Sequence, residues 1–203
     1  MSKSLRVSGL MLAALLLSAA TPAHAESYKL DASHTAVTFH INHFGFSNPS
    51  GKFMNVDGML DLDEKNPAAS KVSVTIPIGM MDTGVSKLDE HLKTDQFFDV
   101  AKFPNATFAS TKVTVTGKDT ADVVGDLTLH GVTKPVTLKV KLNKLGENMM
   151  KVKTAGFSAT ASLKRTDFGM NTYVPMLGDD VTLDIESEAN VPAPAPAPAP
   201  AAK

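Results

Sequence analysis

No cysteine occurs in the 203 residues. That excludes disulfides and thiol nucleophiles, so stability has to come from a packed core. An excess of basic charge is missing too. Lys and Arg number 20 against 21 Asp and Glu, which leaves no electrostatic footprint for nucleic acid. The patterns G-x-S-x-G and H-E-x-x-H are both absent, which removes the common serine-hydrolase and zinc-protease designs. Long apolar runs are scarce. The one that stands out, Gly9–Ala20 (GLMLAALLLSAA), falls well short of the roughly 20 residues that span a bilayer.

That run follows Lys3 and Arg6 and precedes Ala23-His24-Ala25. A positive start, a short apolar stretch and a small-x-small triplet are the layout of a secretory signal peptide. Residues 1–25 are therefore expected to be removed after Ala25, and the protein to be exported. No Cys follows the run, so a lipoprotein anchor is not expected. Beyond residue 25 the chain keeps 18 cations and 21 anions, a net charge of −3, and no second apolar segment long enough to cross a membrane. Residues 191–203 read VPAPAPAPAPAAK. Alternating Pro removes every second backbone donor and favours a solvated, extended tail.

Residues 26–190 carry period-2 patterns, the signature of half-buried strands. Val136, Leu138, Val140 and Leu142 share one parity, while Thr137, Lys139 and Lys141 share the other. Similar alternation runs through Val72–Ile78 and Val181–Ile185, with further candidates near 35–43, 52–63, 105–116, 121–130 and 150–163. Asn48-Pro49-Ser50-Gly51, Asn66-Pro67, Gly117-Lys118-Asp119 and Gly178-Asp179-Asp180 punctuate them as turns. One helical stretch interrupts. Ser86 precedes Asp89 by three residues, a capping-box-like start, and Val85, Leu88 and Leu92 have helical spacing. The expected class is all-β: about eight antiparallel strands with a short helical insertion. Eight strands can close a barrel that holds one small ligand. An outer-membrane barrel would need an apolar outward face, and Lys139 and Lys141 stand there instead. The apolar face therefore turns inward.

Three of the six histidines fall in HTAVTFHINHF, residues 34–44. Val37, Phe39, Ile41 and His43 share a parity, so His43 belongs to the apolar side and His40 to the wet side. His34 and His40 share a face but lie roughly 20 Å apart along a strand. No two of them can hold one ion locally, so no metal is expected. His130, before Gly131, reads as a turn-stabilising residue.

A single arginine, Arg165, remains after residue 25. It ends the inward parity Phe157, Ala159, Ala161, Leu163, Arg165. Its planar fork suits a carboxylate or phosphate. Two readings stay open: a structural pair with a carboxylate such as Asp167, or a head-group anchor at a cavity mouth. Ala159 and Ala161 remove volume from the inward face, which neighbouring side chains or a ligand must fill.

Four stretches in this order resemble the YceI-like family of bacterial periplasmic proteins. They are Asp31–Thr35 with Val37, Phe39, Ile41, His43, Phe46, Ser47, Gly51 and Phe53; Asp89–Asp99 followed by Phe103-Pro104; Gly125–Val136; and Phe157–Ala159 with Arg165–Met170. The resemblance covers about residues 26–190. It implies a lipocalin-like barrel with an elongated apolar pore that binds a long amphiphile, typically a polyisoprenoid of quinone or prenyl-phosphate type. That ligand would be a bound lipid, not a cofactor, and the resemblance implies no enzyme. Strand parity nominates Phe39, Ile41, Phe53, Leu127, Leu129, Phe157, Ala159, Ala161 and Met170 for the lining, with His43 and Arg165 at the polar end. Two alternatives remain: a lipid-directed enzyme using His91 near Asp89 and Asp95, and a metal or haem binder in electron transfer. A homodimer contact through a strand edge or the pairs Met80-Met81 and Met149-Met150 is left open.

Overall fold

The computed structural model describes residues 25–193, so the expected signal segment before Ala25 and the tail beyond residue 193 lie outside the described residues. The alternating segments form β1 (Glu26–Leu30), β2 (Ala36–His43), β3 (Ser50–Phe53), β4 (Asp57–Leu62), β5 (Lys71–Pro77), β6 (Met81–Asp82), β7 (Asn105–Val115), β8 (Thr120–Leu129), β9 (Val132–Glu147), β10 (Lys153–Lys164) and β11 (Leu177–Asn190). Among the described residues there is one α-helix, α1 (Ser86–Leu92), between β6 and β7. The sheet runs β1-β4-β5-β7-β8-β9-β10-β11 and closes through β11 pairing with β1. Every pairing is antiparallel, and the result is a closed eight-stranded lipocalin-like barrel.

β2, β3 and β6 are continuations. β1 and β2 both pair with β11, β4 and β3 pair with β1 and β2, and β5 and β6 pair with β4 and β3. Three long strands are thus each broken once, at 31–35, 54–56 and 78–80. The breaks line up into a crease across the wall. Asn55 takes φ 56 there, and Val56 and Ile78 are buried at it.

Alternation sorts the faces as expected. Val136 is buried and Leu138, Val140 and Leu142 are half-buried, whereas Thr137, Lys139 and Lys141 are exposed. Outward side chains pair across strands, as in Lys139 donating to Asp122 at 2.6 Å and Ser158 donating to Glu186 at 2.7 Å. Among the described residues no helix is long and apolar enough to cross a membrane.

One end of the barrel is plugged. Tyr28 is fully buried beside Ala155 and Ala189, which face each other across β10 and β11. Small residues leave room for the ring, and its hydroxyl still donates to Glu26 Oε2 at 3.1 Å, as a buried Tyr requires. Lys153 Nζ then bridges Glu26 at 2.6 Å and Glu64 at 2.5 Å.

At the other end, the β8–β9 hairpin turns through His130 (φ 51) and Gly131 (φ 75). Positive φ at both central residues is the type I′ geometry that matches strand twist. His130 Nδ1 lies 3.0 Å from the Phe168 carbonyl oxygen, and its ring meets Phe103 edge-on at 4.8 Å. The turn thereby pins the Arg165–Phe168 segment. The α1 start differs from the capping box expected at Ser86. Val85 is the cap residue and makes no side-chain cap bond. Asp89 instead accepts from Thr83 N at 2.8 Å and Thr83 Oγ1 at 2.6 Å. The carboxylate ties the helix back to the chain leaving β6, a longer-range choice than the three-residue motif.

Candidate functional site

Between the plug and the β8–β9 turn the barrel is not filled. A cavity of about 320 Å³ lies against β2, β3, β8, β11 and the α1 insertion. Its depth is set by Val37, Phe53, Ile78 and Ala106, all buried, and its mouth by His43, Phe44, His91 and Tyr173, all exposed. No Asp, Glu or Lys lines it, and Arg165 is the one lining residue with a fixed charge. The volume sits at the lower end of small-molecule sites. A dry cavity of about 150 Å³ holds one benzene, which sets roughly 25 Å³ per carbon. On that scale this cavity takes about a dozen carbons, between two and three isoprene units.

The wall is built by strand periodicity. Phe39 stands directly opposite Gly51 across β2 and β3. A Cβ built on Gly51 would meet the Phe39 ring at 2.6 Å, so the glycine lets the ring lie flat against the strand. Phe39 then packs on Phe53 at 5.4 Å, and Phe53 on Phe98 edge-on at 5.6 Å. This aromatic chain joins the barrel wall to the segment after α1. Leu88 and Leu92 of α1 and Phe97 close the mouth from one side.

Of the residues nominated by parity, Phe39, Ile41, His43, Phe53, Leu127, Leu129, Arg165 and Met170 line the cavity. Phe157, Ala159 and Ala161 do not. Phe157 packs on the plug-side core around Tyr28 and Leu30, and Ala161 on the cluster of Phe108, Leu127 and Phe168. Ala159 is buried without reaching the cavity. Their inward parity is right, but neighbouring side chains, not empty space, take up the volume they leave.

Parity also left out several lining residues. Val181 and Leu183 alternate plainly in the sequence, and Leu88 and Leu92 show helical spacing. Nothing local says that these two elements face one another. Tyr173 sits in an irregular loop whose sequence carries no such signal.

Arg165 is 4 % exposed, and its partners are not those expected. Nε donates to Gly178 O at 2.8 Å, Nη1 to Met170 O at 2.8 Å and Nη2 to Leu177 O at 3.0 Å. These three carbonyls, and not Asp167, hold the fork. The guanidinium thus clamps the segment after β10 to the start of β11. Burial pulls its pKa down, and the charge of Asp179 opposes this. Burial would raise Asp179, but hydrogen bonds from Thr166 N and Oγ1, both at 3.0 Å, hold it below the usual carboxylate range.

The three histidines of residues 34–44 go to three places. His34 Nδ1 lies 2.9 Å from Asp31 Oδ2 in the crease. His40 Nε2 lies 3.0 Å from Asp184 on the outer wall. His43 stands at the mouth, edge-on to Phe44 at 4.5 Å. The donor atoms of Asp31, His34 and Glu188 lie within 4.8 Å of one another, and the Asp31–His34 contact already engages two of them. His91 stacks edge-on with Phe97 at 5.1 Å, while its neighbour Asp89 is occupied by Thr83.

Comparison with known proteins agrees with this architecture. The family described as YceI-like domain matches residues 28–189. The chain is 45% identical over 190 residues to the Escherichia coli protein YceI, covering 93% of this chain and 97% of that one. The crystal structure of the Campylobacter jejuni YCEI protein superposes with a TM-score of 0.68 at 29% identity, covering 90% of this chain and all of that one. A polyisoprenoid binding domain from Saccharophagus degradans has a TM-score of 0.64 at 16% identity, covering 82% of this chain and 99% of that one. At that identity the likeness is one of fold.

Proposed function

The chain belongs to the YceI-like family, and from that premise we propose that it is an exported periplasmic carrier for a long isoprenoid amphiphile of quinone or prenyl-phosphate type. The observation that carries the reading is the cavity. It is apolar, closed at its depth by Val37, Phe53, Ile78 and Ala106 and open at the other end, where its polar groups gather. An apolar chain enters first and runs between Phe39, Ile41, Leu127, Leu129 and Met170. Each methylene it buries contributes about 0.8 kcal/mol, so affinity needs few polar contacts. A ligand no longer than the cavity keeps its polar end at the mouth near His43 and His91, and a longer chain carries that end beyond the rim. Arg165 acts there indirectly, since its donors already hold the carbonyls of the wall. The polyisoprenoid named for the Saccharophagus degradans domain supports this ligand class.

The test is obstruction. Leu129→Trp fills the cavity from β8, and Ile41→Trp fills it from β2. Losing room for even two carbons lowers prenyl-alcohol uptake by about tenfold. Circular dichroism identifies the variant that stays folded. Wild-type uptake by folded Leu129→Trp and Ile41→Trp proteins would contradict the reading.

A further inference from the structure

The mouth of the cavity carries apolar side chains that the cavity does not bury. Phe46 is 90% exposed, Met176 61%, Tyr173 51% and Phe44 41%. They sit on two loops, residues 43–50 and 170–177. Neither loop contains an Asp, Glu, Lys or Arg, although 20% of the chain is charged. The fold brings the two together. His43 pairs with Leu177 across β2 and β11, and Tyr173 O accepts from Leu177 N at 2.9 Å. Thr172 Oγ1 donates to Gln96 O at 2.5 Å, which joins them to the α1 insertion.

The plugged end differs. Its turns carry Asp63, Glu64, Lys65, Lys118, Asp119 and Lys151. Met149 and Met150 are exposed there as well, but Glu147 and Lys151 pair beside them at 3.6 Å. The two mouth loops thus group four exposed apolar side chains on segments without an Asp, Glu, Lys or Arg of their own, with Asp180 and Asp184 lying beside Asn48 on the outer wall.

We propose that these two loops are a bilayer-docking surface, which enters the interfacial layer of an uncharged lipid membrane so that the cavity opens directly onto the acyl region. Aromatic rings favour that depth. A charge carried into it is costly, and these loops carry none. Phe44 and Tyr173 belong both to the rim and to the cavity lining, so the apolar path from bilayer to cavity is unbroken. A prenyl chain then moves between membrane and barrel without crossing water. Its length beyond the dozen or so carbons that fit stays in the lipid. α1 sets the tilt. It is charged at Lys87 and Glu90, with Lys93 just past its end paired to Glu90 at 3.3 Å, so it stays at the headgroup level while the loops insert.

The proposal rests on the lipid-binding reading, and the two are tested apart. Phe46 and Met176 do not line the cavity. A Phe46→Asp/Met176→Asp variant of the mature protein therefore changes the rim and leaves the binding site. Flotation with phosphatidylcholine vesicles reads docking, and uptake of a prenyl alcohol from dilute solution reads the cavity. Wild-type protein is expected to float with the vesicles at low and high salt alike, because no charge pairing holds it. The variant is expected to lose vesicle binding by about tenfold or more and to keep its uptake. Loss of uptake in both proteins strikes the cavity reading. Normal uptake without wild-type vesicle binding, or with equal binding by the variant, overturns the docking proposal alone. A concentration-dependent dimer abolished by the same substitutions, without vesicle binding, also overturns it and assigns the rim to a second copy of the chain.

Discussion

Arg165 shows how one residue can be read correctly for burial and incorrectly for partner. Its parity, continued from β10 by one residue, points it inward, and it is inward. Sequence proximity suggested Asp167, but a guanidinium with five donors is satisfied as well by carbonyls. The turn after residue 165 and the entry to β11 present three of them. Replacing it by Met keeps the length and removes the donors. The three acceptors it serves lose their partners, at about 1–3 kcal/mol for each that stays buried. We expect Arg165→Met to lower unfolding free energy by about 3 kcal/mol or more. Urea denaturation checks it. A midpoint unchanged from wild type would mean that water replaces the fork without cost and that the clamp is not structural.

The crease is an element-scale feature. Asp31 accepts from Ser33 N at 2.9 Å and faces His34 between β1 and β2. The hydrogen bond with Asp31 raises the pKa of His34 above its ordinary 6.5. The same bond, with that from Ser33, lowers Asp31 below its ordinary 3.8. The His34 contribution is therefore present below about pH 6.5 and is lost as pH rises through the raised value. The Asp31 contribution is present above about pH 4 and is lost as pH falls through the lowered value. The pair stabilises the crease most between these limits. His34→Gln should lower the urea midpoint at pH 5.5 more than at pH 9. An equal effect at both would place the pair outside the folding equilibrium.

The wall on either side of the crease was largely legible. Alternation located the eight long strands because one face is buried and the other wet along most of their length. β1 carries no such signal, since five residues give too few alternations. The breaks at 54–56 and 78–80 also left no local signature. They depend on neighbouring strands bending together. The cap of α1 was misplaced for the same reason, because Thr83 competes with Ser86 for Asp89.

For the whole molecule, the barrel is asymmetric along its axis. A buried Tyr and a charged bridge close one end, while at the other two charge-free loops face the charged α1 insertion across the mouth. That polarity fixes the direction in which a chain-like ligand enters. It also explains why the cavity was only partly legible. Inward parity is uniform along β10, yet Phe157, Ala159 and Ala161 fall in the filled part and Leu163 and Arg165 in the open part. Which part a residue occupies depends on how far the plug-side core extends, and no single strand records that. The cavity bears on ligand length too. It accommodates between two and three isoprene units, so affinity should climb with each added unit up to that point and then level off.

The whole molecule, so read, holds a prenyl chain in this cavity. Native mass spectrometry of the mature protein, isolated without detergent from the periplasm of its own cells and followed by organic extraction, addresses it most directly. One prenyl-bearing amphiphile per chain is expected, depleted in whichever of Leu129→Trp and Ile41→Trp stays folded. A folded protein that comes out empty, and that takes up no prenyl alcohol of any length, would contradict it.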